Sequence, residues 1–544
     1  MFLQRAQYWS LKLLSLYSIT LAVFVFPHLI PGSPLTLYAS WPITPQQQEQ
    51  LTREYGFDRP LPSQYVIWLQ RLLSGEWGTS RYYGRSVLPA TGRATGLTLI
   101  LLLWTILASC LWYALLRGLR RILPSSSSPS RPTWLFPVAA ALPNFLIAII
   151  LRDVLIWQLG WISMANLPSF APNYLLQPMY MLLPASVLAL TLLLLWQACE
   201  NKTPAILALS RRYRMRLHVA QFCVSFRPLL AGFLLEVLLI EFVFSLPGLG
   251  KFGIAALRRR DFPALQGFLL STAGLYFVLQ LVLDWGTHLP PRASALLAPA
   301  PHPRPRASSR RSVYGVIWCL SILFALATWA PQLVPHDPAE IHSNDQLLLP
   351  GYRYMLGTDF LGRDVLSRTV EGFRSAIPRV VFVTLCTGLV SLLVGSLGRL
   401  LPVRLRRIGS HGRELLFTMP PFLLAFMTFL VVEDHTWALE ITLTIACLPL
   451  ASHLLTERAP LLHRAANLTQ LGSRVLILAV IFFFLNIASE SLTPTWGVDI
   501  RRGMTYSHLN IWLLLTPIFA VAWSRYSFYL LSYHLPTLTT SSSA

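Results

Sequence analysis

Charged residues are scarce in this sequence. Asp, Glu, Lys and Arg make up 12% of the 544 residues, whereas 54% are hydrophobic. A soluble domain usually carries about 25% charged residues, so the scarcity excludes an ordinary soluble domain and indicates a membrane protein with several spans. The formal net charge is nevertheless +21. Because the Lys and Arg residues are spread through many loops between apolar runs, they favour cytoplasmic loop anchoring over a nucleic-acid partner.

Motifs of enzymes and nucleotide-binding proteins are also absent. In the run Gly248-Leu249-Gly250-Lys251 the lysine is followed by Phe252, and no glycine sits at the required upstream position, so it is not a GxxxxGK[ST] phosphate loop. No GxSxG, HExxH or paired-carboxylate motif occurs, and the six cysteines form no CxxC pair. The sequence therefore predicts no catalytic residue, no metal or nucleotide site and no disulfide framework.

Long apolar runs dominate what is present. A bilayer core needs about 20 apolar residues per helix, and twelve runs fit. They predict an all-α polytopic membrane protein with about 12 transmembrane helices in two pseudo-symmetric six-helix halves. The runs cover about 11–30, 97–116, 133–152, 181–198, 229–246, 266–286, 313–331, 380–398, 416–432, 437–453, 475–488 and 511–532.

A repeat supports the division into halves. PHLIPGSP at 27–34 and PQLVPHDP at 331–338 place prolines at matching positions, 304 residues apart (331 − 27). Each stretch ends an apolar run and opens a long polar segment. A repeat within a membrane protein suggests two halves that enclose a pathway.

A low-complexity linker separates the halves. Residues 293–312 are rich in Pro, Ala, Ser and Arg, a composition that cannot bury a core. The expected domains are a first half at 1–292 with an extracytoplasmic segment at 31–96, the cytoplasmic linker, and a second half at 313–544 with an extracytoplasmic segment at 332–379. The Lys/Arg-rich loops lie on one side of this topology, which predicts that both termini are cytoplasmic.

Several segments resemble a known family. The first half resembles the first permease subunit of the oligopeptide, dipeptide and nickel ABC importer family in PGSP (31–34), LTREYGFDRPLPSQYVIWLQRLLSGEWGTS (51–80), LLPASVLAL (182–190) and EFVFSLPGLGKFGIAALRRRDFPALQG (241–267). The second half resembles the partner subunit in MLGTDFLGRDVLSR (355–368) and TPTWG (493–497). The resemblance implies a fusion of two permease chains that are normally separate.

The resemblance also implies partners. In this family the permease pair forms the pore in the bacterial inner membrane, two separate ATPase subunits bind ATP and Mg²⁺, and an extracytoplasmic solute-binding protein delivers the solute. The chain itself is then not an enzyme and holds no cofactor, and its solute is a short peptide or a metal chelate. The alternatives are an ion-driven secondary transporter with 6 + 6 spans and a membrane scaffold without transport.

Residues 204–222 lie where the family has its coupling helix. An apolar face with helical spacing combines there with basic residues, and we expect it to contact an ATPase; the alternative is a basic loop on lipid headgroups. The first-half residues are Ile206, Leu209, Arg212, Tyr213, Arg216 and Leu217. Where the family has an Ala-rich stretch ending in glycine, the first half has Arg211, Arg212 and Tyr213. The second half keeps Leu471-Gly472, but its apolar span begins at once without the family's usual stretch, so the two coupling sites are expected to be unequal.

Charged residues within spans are costly and often functional. The acidic ones in this chain are Glu236, Glu241, Asp284 and Glu440. Glu241 is a candidate for lining the pathway or an interface, and the turn Pro247-Gly248-Leu249-Gly250 is expected either to form part of an outer gate or to end the helix.

A second candidate surface lies in the polar segment before the eighth run. Asp359, Arg363 and Asp364 either contact a docking protein or pair with one another.

Overall fold

The computed structural model describes most of the chain. The described residues are 2–30, 44–81, 84–122, 142–158, 160, 178–200, 211–287, 310–400, 402, 420–432, 436–456, 461–488 and 493–535. The linker at 293–309, the first-half PGSP run and the predicted coupling residues Ile206 and Leu209 lie outside these ranges.

Helices account for most of the described residues up to the linker. They are α1 Phe2–Leu29, α2 Pro45–Tyr55, α3 Leu61–Leu73, α4 Val87–Ile122, α5 Asn144–Asp153, α6 Pro178–Glu200, α7 Arg211–Phe226, α8 Leu230–Val243, α9 Leu249–Arg258 and α10 Phe262–Gly286. A π-helical turn, Val154–Gln158, continues α5, and the 3-10 turn Arg227–Leu229 joins α7 to α8.

The described residues after the linker are again mainly helical. Their helices are α11 Arg310–Leu333, α12 Val365–Leu400, α13 Pro421–Val432, α14 Ala438–Thr456, α15 Leu461–Phe484, α16 Trp496–Tyr506 and α17 Trp512–His534. The β-structure of the described residues consists of two isolated bridges, Thr79 with Ser86 and Thr358 with Asp364.

The chain is an all-α polytopic membrane protein, as the sequence predicts. Each of the twelve apolar runs overlaps a helix. Within the described ranges, six helical stretches are long and apolar enough to cross a membrane: Lys12–Leu29, Val87–Leu119, Met215–Val243, Phe262–Gly286, Val365–Gly398 and Leu462–Phe484. Four shorter apolar stretches, Met181–Gln197, Ser321–Ala330, Pro421–Val432 and Ala438–Ala451, accompany them.

The long helix α4 shows how these helices pack. Its buried side chains recur about every three and a half residues and are mostly small: Val87, Thr91, Ala94, Thr98, Leu101, Thr105 and Ala108. Small residues let membrane helices approach closely. Large apolar residues such as Leu103, Leu107 and Trp112 are exposed on the remaining surface, which suits contact with lipid.

The proline at the end of α1 creates a packing requirement. Pro27 has no N–H, so the Val23 carbonyl one turn earlier loses its helical donor. The Gln266 side-chain amide of α10 donates to that oxygen at 3.3 Å. The first proline of the predicted repeat therefore also fixes where α10 packs.

The chain divides into two compact units. Unit 1 comprises residues 1–125, 168–300 and 411–431, and unit 2 comprises residues 126–167, 301–410 and 432–544. Each unit thus includes a stretch from the other linear half. In unit 2, Phe145 of α5 packs against Phe484 of α15 with ring centres 6.0 Å apart. The predicted boundary at 293–312 stays a prediction.

Candidate functional site

The carboxyl group of Glu241 lies at the end of α8 and is buried. Thr98 Oγ1 of α4 donates to one carboxyl oxygen at 2.6 Å, and the Gly250 N–H at the start of α9 donates to the other at 2.6 Å. Thr98 Oγ1 also accepts from the Leu249 N–H at 3.0 Å. Glu241 therefore caps α9, satisfying donors that a helix N-terminus leaves free. Its predicted role in lining a pathway stays a prediction.

The Pro247-Gly248-Leu249-Gly250 turn is closely packed. A β-carbon on Gly248 would collide with the Glu241 carboxyl group, and one on Gly250 would collide with the Leu238 carbonyl oxygen. Both positions therefore need glycine for close approach. Of the two predicted alternatives, this geometry shows that the turn ends α8 and begins α9, and a gating role is still a prediction.

Unit 2 contains the same helix ending with different residues. Ser245 has a φ of 55° and Asn486 a φ of 54°, both in the left-handed region. The N–H of Ser245 donates to the Phe242 oxygen, and the N–H of Asn486 to the Phe483 oxygen, both at 3.1 Å. Such hydrogen bonds, from an N–H to the carbonyl three residues earlier, satisfy carbonyl groups at a helix C-terminus. The structure thus repeats this joint 241 residues later (486 − 245).

The first turn of the following short helix is repeated too. In α16 a β-carbon on Gly497 would collide with the Val480 carbonyl oxygen, as one on Gly250 would with Leu238. The sequence contains no PGLG-like element before TPTWG. The structure shows that Gly497 of TPTWG provides the equivalent close approach.

A small loop precedes each of the two 36-residue helices. Before α4, the Val87 N–H donates to the Gly78 oxygen at 3.0 Å; before α12, the Val365 N–H donates to the Gly357 oxygen at 3.1 Å. Both glycines have positive φ. The matching letters GTS…GRS at 78–86 and GTD…GRD at 357–364 carry this signal, which the sequence analysis did not use.

Each loop is hydrogen-bonded to a residue just before a later helix of the same unit, α10 in unit 1 and α17 in unit 2. In unit 1, Ser80 Oγ donates to Asp261 Oδ2 at 2.5 Å, and Asp261 Oδ1 caps α10 by accepting from the Ala264 N–H at 3.3 Å. In unit 2, Asn510 Nδ2 donates to the Leu356 oxygen at 3.2 Å. These polar joints hold the loop ends of both units in place.

The predicted docking residues of unit 2 are engaged with each other. Arg363 Nη2 and Nε lie 2.6 and 2.8 Å from Asp359 Oδ2, and both side chains are nearly buried. Asp364 Oδ2 accepts from the Ser367 N–H at 3.0 Å and thereby caps α12. The alternative in which Asp359 and Arg363 pair is the one observed. Their contact with a docking protein remains a prediction.

A buried ion network extends from that pair. Arg368 Nη2 lies 2.6 Å from Asp499 Oδ1 of α16, and Arg368 Nη1 donates to the Pro338 oxygen at 3.2 Å. The network lines a partly open pocket that Phe360 and Tyr506 also border. Because Pro338 ends the second copy of the proline repeat, this arginine anchors the repeat to α12.

Acidic residues within the predicted spans are paired as well. Asp284 at the end of α10 lies 2.9 Å from Lys12 Nζ of α1 and 3.1 Å from Arg227 Nη1. Glu440 of α14 lies 2.7 Å from Arg379 Nε of α12. Buried charges require such partners, so these acids link helices within each unit.

Sequence analysis missed the buried acid Asp153. Asp153 closes α5 and accepts a hydrogen bond from Ser507 Oγ, and both side chains are buried. Trp157 stacks on His508 with ring centres 4.7 Å apart. An acid at the end of an apolar run was the signal that could have revealed this contact.

The coupling segment forms helix α7 from Arg211 onward, and Arg212 and Tyr213 belong to it. Leu217 is fully buried within the protein, whereas Arg216 and Met215 are exposed. The placement of Leu217 on a partner-facing surface is corrected accordingly, because its own unit covers the side chain. Leu471 is likewise 1% exposed, and Gly472 packs against Phe528, so neither is open to a partner in this conformation.

Known proteins provide an independent comparison. No profile of a known protein family matches the chain. The oligopeptide transport system permease protein AppB of Bacillus subtilis is 25% identical over 294 residues, which cover 49% of this chain and 92% of AppB. The homologues of this chain are ABC importer permeases. The dipeptide permease DppB of Lactococcus lactis is 24% identical (51% of this chain, 93% of DppB), and the glutathione permease GsiC of Shigella boydii is 24% identical (50% and 91%).

The extent of these permease alignments is informative. Each relative is covered over about nine tenths of its length, yet matches only about half of this chain. This is consistent with two permeases fused in one polypeptide. Because the homologues are transport permeases, they imply a pore-forming subunit rather than an enzyme.

Proposed function

We propose that this chain forms the translocation pathway of a binding-protein-dependent ABC importer for short peptides, or for a related small solute such as a metal chelate. The observation that carries the proposal is the full-length match of peptide permeases to half of the chain. The repeated helix joints at Ser245 and Asn486 support two permease-like units in one polypeptide.

Transport in this proposal needs partners. Two separate ATPase subunits bind ATP and Mg²⁺ and contact the chain through α7 and through the Leu471-Gly472 region of α15, and an extracytoplasmic solute-binding protein supplies the solute. The chain lies in a bacterial inner membrane with both termini in the cytoplasm. Nucleotide shifts the outward-open and inward-open states only through differential affinity for them, so the ATPases must bind the two states unequally.

Reconstitution tests the energy source. The chain is purified with two ATPase subunits and placed in proteoliposomes with the binding protein outside and ATP inside. We expect peptide uptake that requires ATP hydrolysis and survives a proton ionophore. Uptake that persists with inactive ATPases and collapses with the ionophore would instead establish the ion-driven transporter. Mass spectrometry of ligand bound to the purified binding protein would identify the solute.

A further inference from the structure

Residues 347–358 form a loop in unit 2 whose tip is apolar and exposed. The tip consists of Leu348, Leu349, Tyr352 and Met355, all of which are exposed, with Tyr352 fully so. Arg353 is the charged residue among them and is exposed as well. Contiguous exposed apolar residues mark interaction sites rather than ordinary surface.

The loop holds this tip in a fixed conformation. The Thr358 N–H donates to the Leu348 oxygen at 3.0 Å, and the Leu348 N–H donates to Thr358 Oγ1 at 2.9 Å. Within the tip, the Gly351 N–H donates to the Tyr354 oxygen at 2.9 Å. A tip held by its own backbone loses little entropy when it binds.

A buried tyrosine supports the loop from below. Tyr354 is 3% exposed and donates to Asp345 Oδ2 at 2.9 Å. Burial, followed by the hydrogen bond to Asp345, raises the pKa of the Tyr354 phenol. Arg353 lies 3.3 Å from the same carboxylate and 5.2 Å over the Tyr354 ring, which orients its guanidinium.

The loop is also hydrogen-bonded to a residue just before α17. Asn510 Nδ2 donates to the Leu348 oxygen at 3.3 Å, while Asn510 Oδ1 accepts from the Trp512 N–H at 3.1 Å. Trp512 begins α17, which covers the predicted twelfth span 511–532 and whose 23 residues extend about 35 Å, against a bilayer core of about 30 Å. Trp512 is 42% exposed, and tryptophans concentrate at membrane interfaces.

We propose that the 347–358 loop inserts its tip into the headgroup region of the phospholipid bilayer beside α17. Asn510, which is hydrogen-bonded to Leu348 of the tip, is flanked in the chain by exposed Leu509 and, two residues on, exposed Trp512. Leucine, methionine and tyrosine with one cation is the composition of an interfacial anchor, in which the cation meets lipid phosphate. The loop thereby fixes the depth of unit 2 in the membrane.

Fluorescence quenching tests the insertion. The full chain carries Cys110→Ala to remove an exposed cysteine, plus Leu349→Cys or Tyr352→Cys labelled with an environment-sensitive dye. The host vesicles contain phosphatidylethanolamine and phosphatidylglycerol. We expect a blue-shifted emission that a phospholipid with a doxyl group near its headgroup quenches and that aqueous iodide does not. Glu340→Cys, at an exposed charged site of the same segment, is the control and should be quenched by iodide.

Each outcome separates lipid from a protein partner. Labelling of the Cys110→Ala parent measures how much dye reacts with the remaining cysteines. Circular dichroism checks the folding of every variant. If iodide quenches both tip labels and the doxyl lipid does not, the tip lies in water and the proposal fails. Protection from iodide that appears only after a solute-binding protein is added would overturn it in favour of protein docking.

Discussion

Glu241 exemplifies how single residues work in this protein. Its two carboxyl oxygens are each satisfied by a donor from a different helix, Thr98 of α4 and Gly250 of α9. A buried donor left without its acceptor costs about 1–3 kcal/mol. The acid is therefore a structural connector, whatever further role it has in transport.

Replacing this acid tests the connector. Glu241→Gln keeps one acceptor oxygen but turns an amide group toward a second donor, so we expect a loss of about 1–3 kcal/mol in stability. The measurement is the thermal unfolding midpoint in detergent. Thr98→Val and the double variant complete a cycle, and strictly additive losses would contradict a direct interaction.

Glycine variants test the repeated close approach. Gly250→Ala and Gly497→Ala each place a methyl group against a backbone oxygen, and overpacking of this kind costs about 1–3 kcal/mol. Gly232→Ala and Gly398→Ala are matched controls, because a β-carbon there meets no atom within 4 Å. Comparable melting temperatures for all four variants would refute the packing explanation.

At the scale of elements, the coupling helix α7 shows where sequence reasoning succeeds and where it stops. The basic residues and apolar spacing correctly predict a helix. They do not say whether Leu217 is covered by its own unit or by a partner, since both give the same periodicity. The helix endings at Ser245 and Asn486 were not predictable either. Backbone hydrogen bonds define this conformation, and different residues can adopt it.

The exposure pattern of α7 gives a paired prediction. Met215→Asp changes a side chain that is 54% exposed, so we expect weaker co-purification of the ATPase subunits with an unchanged melting temperature. Leu217→Asp buries a charge without a partner and should lower the melting temperature itself. If Met215→Asp binds the ATPases normally, α7 is not the coupling element.

At the scale of the whole molecule, the units cross the linear halves. Residues 126–167 belong to unit 2, and 411–431 belong to unit 1. The apolar runs correctly predict helices, because each run overlaps one, and their length indicates bilayer crossings. They carry no information about which unit a given span joins, since that depends on long-range packing such as Phe145 on Phe484.

Splitting the chain tests this arrangement. Residues 1–300 and 301–544 are produced together or alone, with a tag on one piece. We expect the pieces to co-purify when produced together, because α5 completes unit 2 from the first piece, and each alone to aggregate in detergent. If a lone piece is monodisperse and melts at the temperature of the intact chain, then the segments that each unit takes from the other linear half contribute little to stability.

The cap that Glu241 forms has a mechanical consequence. Directed bonds join α4, the end of α8 and the start of α9 within a few ångströms. Bending between them would break buried hydrogen bonds, so we expect these three segments to move as one rigid body in the proposed transport cycle. Spin labels flanking the cap should therefore report one unchanging separation in every nucleotide state, and the hinges must lie elsewhere in the chain.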